Sequence, residues 1–277
     1  MKKLLAIITA FAFIAALVPA VNAGAEGAVV AVSSASGQMG ETITVALSMR
    51  GTGRLCGASV DIVYDAGMLG YAYHTVNSAL KADYLWVKSV ESGHLRISFT
   101  DVEDDIEPVG PLIYLNFQVK ANRVGTARLL VEQKSGALFD HSYIELDYST
   151  ENGEIRVLPA FPKTDYTVKH GIIYLPHPIR TDSLQNSLPA GATVAKGNTA
   201  VETGRAVEYG GGTFYTALSG DINCDGQVST ADFLRYKTFL KGLIPLASPS
   251  LAAADMDGNG MHNGTDALRL KALLAGI

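Results

Sequence analysis

A duplication constrains this chain more than any other feature. Residues Asp232–Gly242, DFLRYKTFLKG, align with Asp266–Gly276, DALRLKALLAG, at an offset of 34. A twelve-residue loop dense in oxygen-bearing side chains precedes each copy, DINCDGQVSTAD from Asp221 and DMDGNGMHNGTD from Asp255. Each loop holds three carboxylates and no Lys or Arg, so without a cation the mutual repulsion holds it open. Oxygens fall at positions 1, 3, 5, 9 and 12: Asp221, Asn223, Asp225, Ser229 and Asp232, then Asp255, Asp257, Asn259, Asn263 and Asp266. Gly226 and Gly260 take position 6, where such a loop turns sharply, and Gln227 and Met261 offer a backbone carbonyl at position 7. About six hard oxygens per loop suit Ca²⁺ and not zinc or copper. The spacing recurs twice and each copy leads into a helical pattern, which sets it apart from chance Asp/Asn/Gly-rich turns.

Two departures separate these loops from full EF-hands. Asp221 follows the strand-like TFYTALSG where an entering helix would stand, and position 12 is Asp where an EF-hand has a bidentate Glu. With those features, residues 220–277 resemble a dockerin, the calcium module by which cellulosomal proteins plug into scaffoldins. The resemblance implies two Ca²⁺ ions, helices around 232–241 and 266–275, and a short helical segment near 249–254. It also implies a cohesin-facing surface at Thr230, Ala231, Arg235, Lys237 and Thr238, matched by Gly264, Thr265, Arg269 and Lys271. His262 stands at position 8, where the family has an apolar residue bridging the loops; Val228 fits that rule.

The other end of the chain reads as export. Residues 1–23 join Lys2 and Lys3 to an apolar run and a small-x-small site, Val21-Asn22-Ala23, the pattern of a cleaved signal peptide. The expected mature protein is secreted and held at a cell surface only through a partner, with no membrane insertion. A net charge of −5 excludes a general nucleic-acid binder, which needs a basic face. Two cysteines, Cys56 and Cys224, cannot frame a disulfide scaffold and read as free thiols.

Between the two ends lie two β-rich segments. Over residues 27–158, AVVAVSS, ETITVALSM, ASVDIVYD, HLRISFTD, LIYLNFQVK, ARLLVEQ and GEIRVL alternate apolar and polar positions between Gly- and Pro-marked turns. That predicts an all-β, jelly-roll-like sandwich. Residues 159–163, opening PAFP, read as a stiff linker. Residues 164–219 read as a small β-rich module. TVKHGIIYLP is one strand, TDSLQNSL a short helix capped by Thr181 or Asp182, GATVAK a further strand, and RAVEYGGGTFYTALSG a hairpin turning at Gly210-Gly211-Gly212.

The sandwich resembles a cohesin, the receptor for dockerins, through ASVDIVYDAGMLGY, GPLIYLNFQVKANRVGTARL and LDYSTENGEIRV. The resemblance implies that Asp65 ends a strand on the dockerin-facing sheet and accepts bonds from the partner, and that Val63 stands where cohesins have Asn. The 164–219 segment resembles small modules that precede dockerins in clostridial and ruminococcal chains, a match that implies support of the dockerin. The whole is multidomain and similar to a cellulosomal adaptor scaffoldin. Its implied partners are a dockerin-bearing enzyme or scaffoldin on the cohesin and another scaffoldin's cohesin on the dockerin. Two other readings compete. A carbohydrate-binding protein would use Tyr71, Tyr73, Tyr84 and Trp86 as a platform. A glycoside hydrolase would draw two carboxylates from Asp101, Glu103, Asp104, Asp105 and Glu107, a run that reads instead as a solvated turn. No catalytic residues are expected.

Overall fold

The computed structural model of the chain describes residues 27–276, apart from 78–79, 102–105, 107, 109, 121–122, 198 and the side chains of 134–135. The signal segment and Glu103, Asp104, Asp105 and Glu107 lie outside the described residues. The chain divides into two compact units, one running up to Phe161 with Lys169–Gly171, the other comprising Pro162–Val168 and Ile172 onward.

The first unit is a two-sheet sandwich. Its strands are β1 (Ala28–Val32), β2 (Ala35–Gln38), β3 (Thr42–Arg50), β4 (Leu55–Tyr64), β5 (Leu69–Val76), β6 (Tyr84–Glu91), β7 (His94–Thr100), β8 (Pro111–Val119), β9 (Gly125–Asp140), β10 (Tyr148–Glu151) and β11 (Gly153–Leu158). One sheet runs β10-β1-β3-β8-β5 and the other β2-β11-β9-β4-β7-β6. The period-two pattern sets which side chains meet between them. Val60 and Ile62 from β4, Leu95 and Ile97 from β7, and Leu115 and Phe117 from β8 are buried. Tyr64 meets Phe117 edge-on at 5.0 Å. The continuous run AVVAVSS leads into two strands that serve different sheets. Ala28 pairs in parallel with Tyr148 and Ala35 in parallel with Ile155. Phe161 N donates to Gln38 Oε1 at 2.8 Å, so the first part of the linker is bonded to the sandwich.

The second unit holds a five-stranded sheet and three helices in its C-terminal part. The strands are β12 (Thr167–Lys169), β13 (Ile172–Leu175), β14 (Thr193–Val194), β15 (Ala206–Tyr209) and β16 (Gly212–Leu218), ordered β12-β13-β16-β15-β14, with helix α1 (Thr181–Ser187). TVKHGIIYLP is two strands and not one. His170 and Gly171, at φ 52° and 78°, turn the chain in the left-handed region between β12 and β13. The cap of α1 also differs from the sequence expectation: Arg180 is the N-cap and its side chain makes no capping bond, and Thr181 and Asp182 lie in the first turn. Beyond the sheet come α2 (Thr230–Leu240), α3 (Ser248–Ala254) and α4 (Gly264–Ala275). Their core is Ile222, Tyr236, Leu246, Leu251, Ala254 and Leu270, with Val228 and Phe239 packed against it. Buried Ile172 and Ala217 of the sheet pack with Ala253 of α3. The segments that the sequence separates at 219/220 therefore fold as one compact unit.

Candidate calcium loops and docking faces

Strand β16 runs directly into the first loop. Asp221 is fully buried, its Oδ1 accepting from Asp225 N at 3.0 Å and its Oδ2 from Gly226 N at 3.2 Å and Thr203 N at 2.8 Å. Asp232, at position 12, is also fully buried. It accepts from Ile222 N and Asn223 N at 2.8 and 2.9 Å, and from Ser229 N at 2.8 Å. Gly226 holds φ 81°, a left-handed turn that folds the following backbone inward and that a side chain disfavours.

The second loop repeats this arrangement behind α3. Asp255 accepts from Asn259 N at 3.1 Å and Gly260 N at 2.9 Å. Fully buried Asp266 accepts from Met256 N at 2.9 Å and Asn263 N at 3.0 Å. Carboxylate oxygens of Asp255, Asp257 and Asp266 lie within 4.8 Å of one another. Burial raises the pKa of both Asp221 and Asp255 above the usual carboxylate value, the signature of charge packed where water has been removed. Clustered, desolvated carboxylates and amide oxygens are the donor set a hard divalent cation takes.

The position-9 oxygens have a second job. Ser229 is the N-cap of α2, accepting from Ala231 N at 3.2 Å, and Asn263 is the N-cap of α4, accepting from Thr265 N at 2.7 Å. Each forms a capping box with its position-12 carboxylate, so the loop ends and the helix starts are fixed by the same residues. The position-7 residues donate inside the loops, Gln227 N to Asp225 Oδ1 at 2.8 Å and Met261 N to Asn259 Oδ1 at 2.6 Å. Tyr236 ties the two halves together. Fully buried on α2, it donates from its hydroxyl to Asp266 Oδ2 at 3.2 Å and to Asn263 O at 3.3 Å. His262 bonds to Leu251 O at 2.9 Å and lies edge-on to Phe239 at 5.9 Å, while Val228 packs on the core.

On the helices, Thr230, Ala231, Arg235, Lys237, Gly264, Thr265, Arg269 and Lys271 are exposed and Thr238 is half-buried. The Thr238 hydroxyl is spent on Leu234 O at 2.8 Å, and Lys237 Nζ sits 5.6 Å from the Phe233 ring centre. Sequence reasoning missed the largest apolar pair on this face. Leu234 and Leu268, 62% and 68% exposed, occupy equivalent positions of the duplication. The repeat offset that exposed the arginines also relates these leucines.

On the sandwich, Asp65 follows the last residue of β4. It is tied into its own turn, accepting from Gly67 N at 2.8 Å and Arg123 Nη2 at 2.8 Å. Val63 pairs with His94 and Leu130 across the sheet. A second carboxylate on this face escaped the sequence reading. Asp61, two residues before Val63 and fully buried, receives a two-pronged bond from Arg96, Nε to Oδ1 at 2.7 Å and Nη2 to Oδ2 at 2.6 Å. Alternation along DIVYD sets Asp61 and Val63 on the face opposite to buried Ile62 and Tyr64. The four candidate platform aromatics do not gather. Tyr71 and Tyr73 lie on β5 of one sheet, and Tyr84 and Trp86 on β6 of the other. Of the acidic run, Asp101 is buried and donates its N–H to Cys56 O at 2.9 Å. Cys56, buried, and Cys224, exposed, are not joined in a disulfide.

Comparison with known proteins follows the same division. Residues 28–157 match the cohesin domain family model and residues 219–275 the dockerin type I domain family model. The chain carries a cohesin domain and a type I dockerin domain. No curated protein matches it. Among solved structures, it is similar to the cohesin CaCohA2 of Clostridium acetobutylicum, with 26% identity, TM-score 0.45, and coverage of 48% of this chain and 91% of that one. The seventh ScaB type I cohesin of Pseudobacteroides cellulosolvens gives 18% identity and TM-score 0.45, covering 51% of this chain and 99% of that one. A non-cellulosomal cohesin of the archaeon Archaeoglobus fulgidus gives 16% and 0.41, covering 48% and 92%. Cohesin and dockerin are non-catalytic interaction modules, and type I dockerins bind calcium. With both, the chain is a cellulosomal adaptor that works through cohesin–dockerin interactions. Among the described residues, no helix is long and apolar enough to cross a membrane.

Proposed function

We propose that this chain is an exported, non-catalytic scaffoldin. Its cohesin, residues 27–158, receives a dockerin-bearing protein, and its dockerin, residues 220–277 loaded with two Ca²⁺ ions, plugs into the cohesin of a second scaffoldin. The observation that carries this reading is the pair of fully buried position-12 carboxylates, Asp232 and Asp266, each set where a loop becomes a helix. Asp221, Asn223, Asp225, Ser229 and the Gln227 carbonyl would hold one ion with Asp232. Asp255, Asp257, Asn259, Asn263 and the Met261 carbonyl would hold the other with Asp266. Calcium supplies the positive charge that offsets the repulsion within each loop. The protein's own residues do the rest: capping boxes start α2 and α4, Tyr236 links α2 to the second loop, and Leu234, Arg235, Leu268 and Arg269 present an apolar and basic docking face. On the cohesin, Val63 and Asp65 belong to the corresponding face. An adaptor of this kind needs a cohesin that rejects its own dockerin, since recognition between copies would produce head-to-tail chains.

The test is calcium dependence of the helices in the full chain. Chelation should remove the helical circular dichroism of the dockerin while the sandwich stays folded, and Asp221→Ala with Asp255→Ala should do the same. Helices that persist unchanged in chelator would refute the calcium reading.

A further inference from the structure

The two loops differ in what enters them. Helix α3 leads into Asp255, as an entering helix would. Ahead of Asp221 stands β16, an inner strand of the small sheet, with Asp221 N turned back onto Leu218 O at 3.0 Å. The sheet supplies more than an approach. Thr203, nearly fully buried in the connection between β14 and β15, donates its backbone N–H to Asp221 Oδ2 at 2.8 Å. Its hydroxyl is held by Leu218, accepting from Leu218 N at 3.1 Å. The neighbouring residue is fixed as well: Glu202 O accepts from Thr216 Oγ1 at 2.6 Å, and the Glu202 carboxylate accepts from Arg205 Nε at 2.8 Å. Glu202 Cβ lies 3.5 Å from where a side chain at Gly226 would begin, so residues 202–203 close over position 6. Gly220 N completes the frame by donating to Ala253 O at 2.8 Å.

Asp221 thus has three backbone donors, two from its own loop and one from the sheet. Among the described residues, Asp255 has the two equivalent loop donors, from Asn259 and Gly260, and none from the sheet. We infer that the 164–219 sheet is a working part of the first calcium site, with Thr203 as a positioning residue that fixes the position-1 carboxylate before the ion arrives. Outer-sphere donors of this kind orient a ligand oxygen and remove the cost of ordering it at binding. The consequence is inequality between the sites: the sheet adds to the Ca²⁺ affinity of the first and not to that of the second. The dockerin of this chain therefore needs its neighbouring sheet for full calcium affinity. This inference rests on the calcium reading of both loops.

Calorimetric Ca²⁺ titration of the full chain separates the possibilities. In the Asp257→Ala background, which leaves the first site intact, Thr203→Pro deletes the donor and should weaken binding about 10–100-fold, the range for lost outer-sphere partners. In the Asp225→Ala background, which leaves the second site, Thr203→Pro should change the dissociation constant less than about twofold, and Thr203→Ser should be neutral in both. Weakening of both sites alike, or of neither, would overturn the inference while leaving calcium binding intact. No Ca²⁺ uptake by the unsubstituted chain would instead overturn the calcium reading on which it stands. If Thr203→Pro does not fold, amide hydrogen exchange on the unsubstituted chain decides the matter. The Thr203 N–H should already be protected from exchange in chelator, and exchange at the rate of an open amide without Ca²⁺ would refute the role assigned to it.

Discussion

Replacing Tyr236 by Phe tests how the two halves of the dockerin are held together. The ring is fully buried and stays in place, so the substitution opens no cavity and isolates the hydroxyl. That hydroxyl donates to Asp266 Oδ2 at 3.2 Å and to Asn263 O at 3.3 Å. Burial, with the Asp266 charge beside it, pushes the phenol pKa far up, so it remains a neutral donor throughout the working range. A hydrogen bond to a charged partner contributes about 1.5–3 kcal/mol. Asp266 keeps the Met256 and Asn263 amides as donors, which places the expected loss at the low end, about 1.5 kcal/mol, or roughly tenfold in the unfolding equilibrium. Leu270→Ala, which empties a fully buried site in the same core, should cost about 2–5 kcal/mol. Both are read by urea unfolding of the full chain in saturating Ca²⁺, following the helical signal. A loss below about 0.5 kcal/mol for Tyr236→Phe would show that the hydroxyl does not couple the halves.

Three further outcomes follow from the same structure. Fully buried Asp221 and half-buried Asp255 have pKa values raised by desolvation in the ion-free fold, so the folded state binds protons more readily than the unfolded one. Their ionisation costs stability as pH rises through the folded pKa, a cost that is absent below the unfolded value. Protons therefore compete with Ca²⁺ from above the ordinary carboxylate value of 3.8, and the calcium-induced rise in Tm should shrink over that interval; a rise unchanged down to that value would contradict the burial argument. One orientation of the dockerin on its cohesin should dominate, because Gly264-Thr265 stands where the first half has Thr230-Ala231. Nothing lies within 4 Å of a Cβ added at Gly264, so Gly264→Thr with Thr265→Ala should fold and bring the second orientation into use, raising affinity at most about twofold by RT ln 2. Calorimetry showing unequal losses for Leu234→Ala and Leu268→Ala supports this, and equal small losses refute it. The purified chain should release no reducing sugar from xylan, mannan or cellulose, and release above a blank would overturn the non-catalytic reading.

The elements read most directly were those whose pattern is local. The two loops were legible because ligand spacing is a property of twelve consecutive residues, and the inner strands β3, β4, β7 and β8 because both neighbours enforce alternation. Strands β5 and β6 were missed. They are sheet edges whose exposure does not alternate cleanly along the strand, so no period marks them. The assignment of β1 and β2 to different sheets depends on parallel pairing with β10 and β11, more than a hundred residues away, which no window reveals. Asp61 read as an ordinary polar strand position because its partner Arg96 lies on the neighbouring strand β7. Thr203 could not be found from sequence at all: it acts through its backbone N–H, which every residue but proline carries.

The adaptor account stands or falls on simultaneous occupancy. Sedimentation velocity on the full chain mixed with a panel of type I dockerins and type I cohesins, in Ca²⁺ and again in chelator, measures it directly. The account predicts a 1:1:1 complex in Ca²⁺ with at least one dockerin–cohesin pair, and loss of the added cohesin in chelator as this chain's own dockerin opens. A chain that binds one partner only by releasing the other, or that in Ca²⁺ joins only to itself, would contradict it.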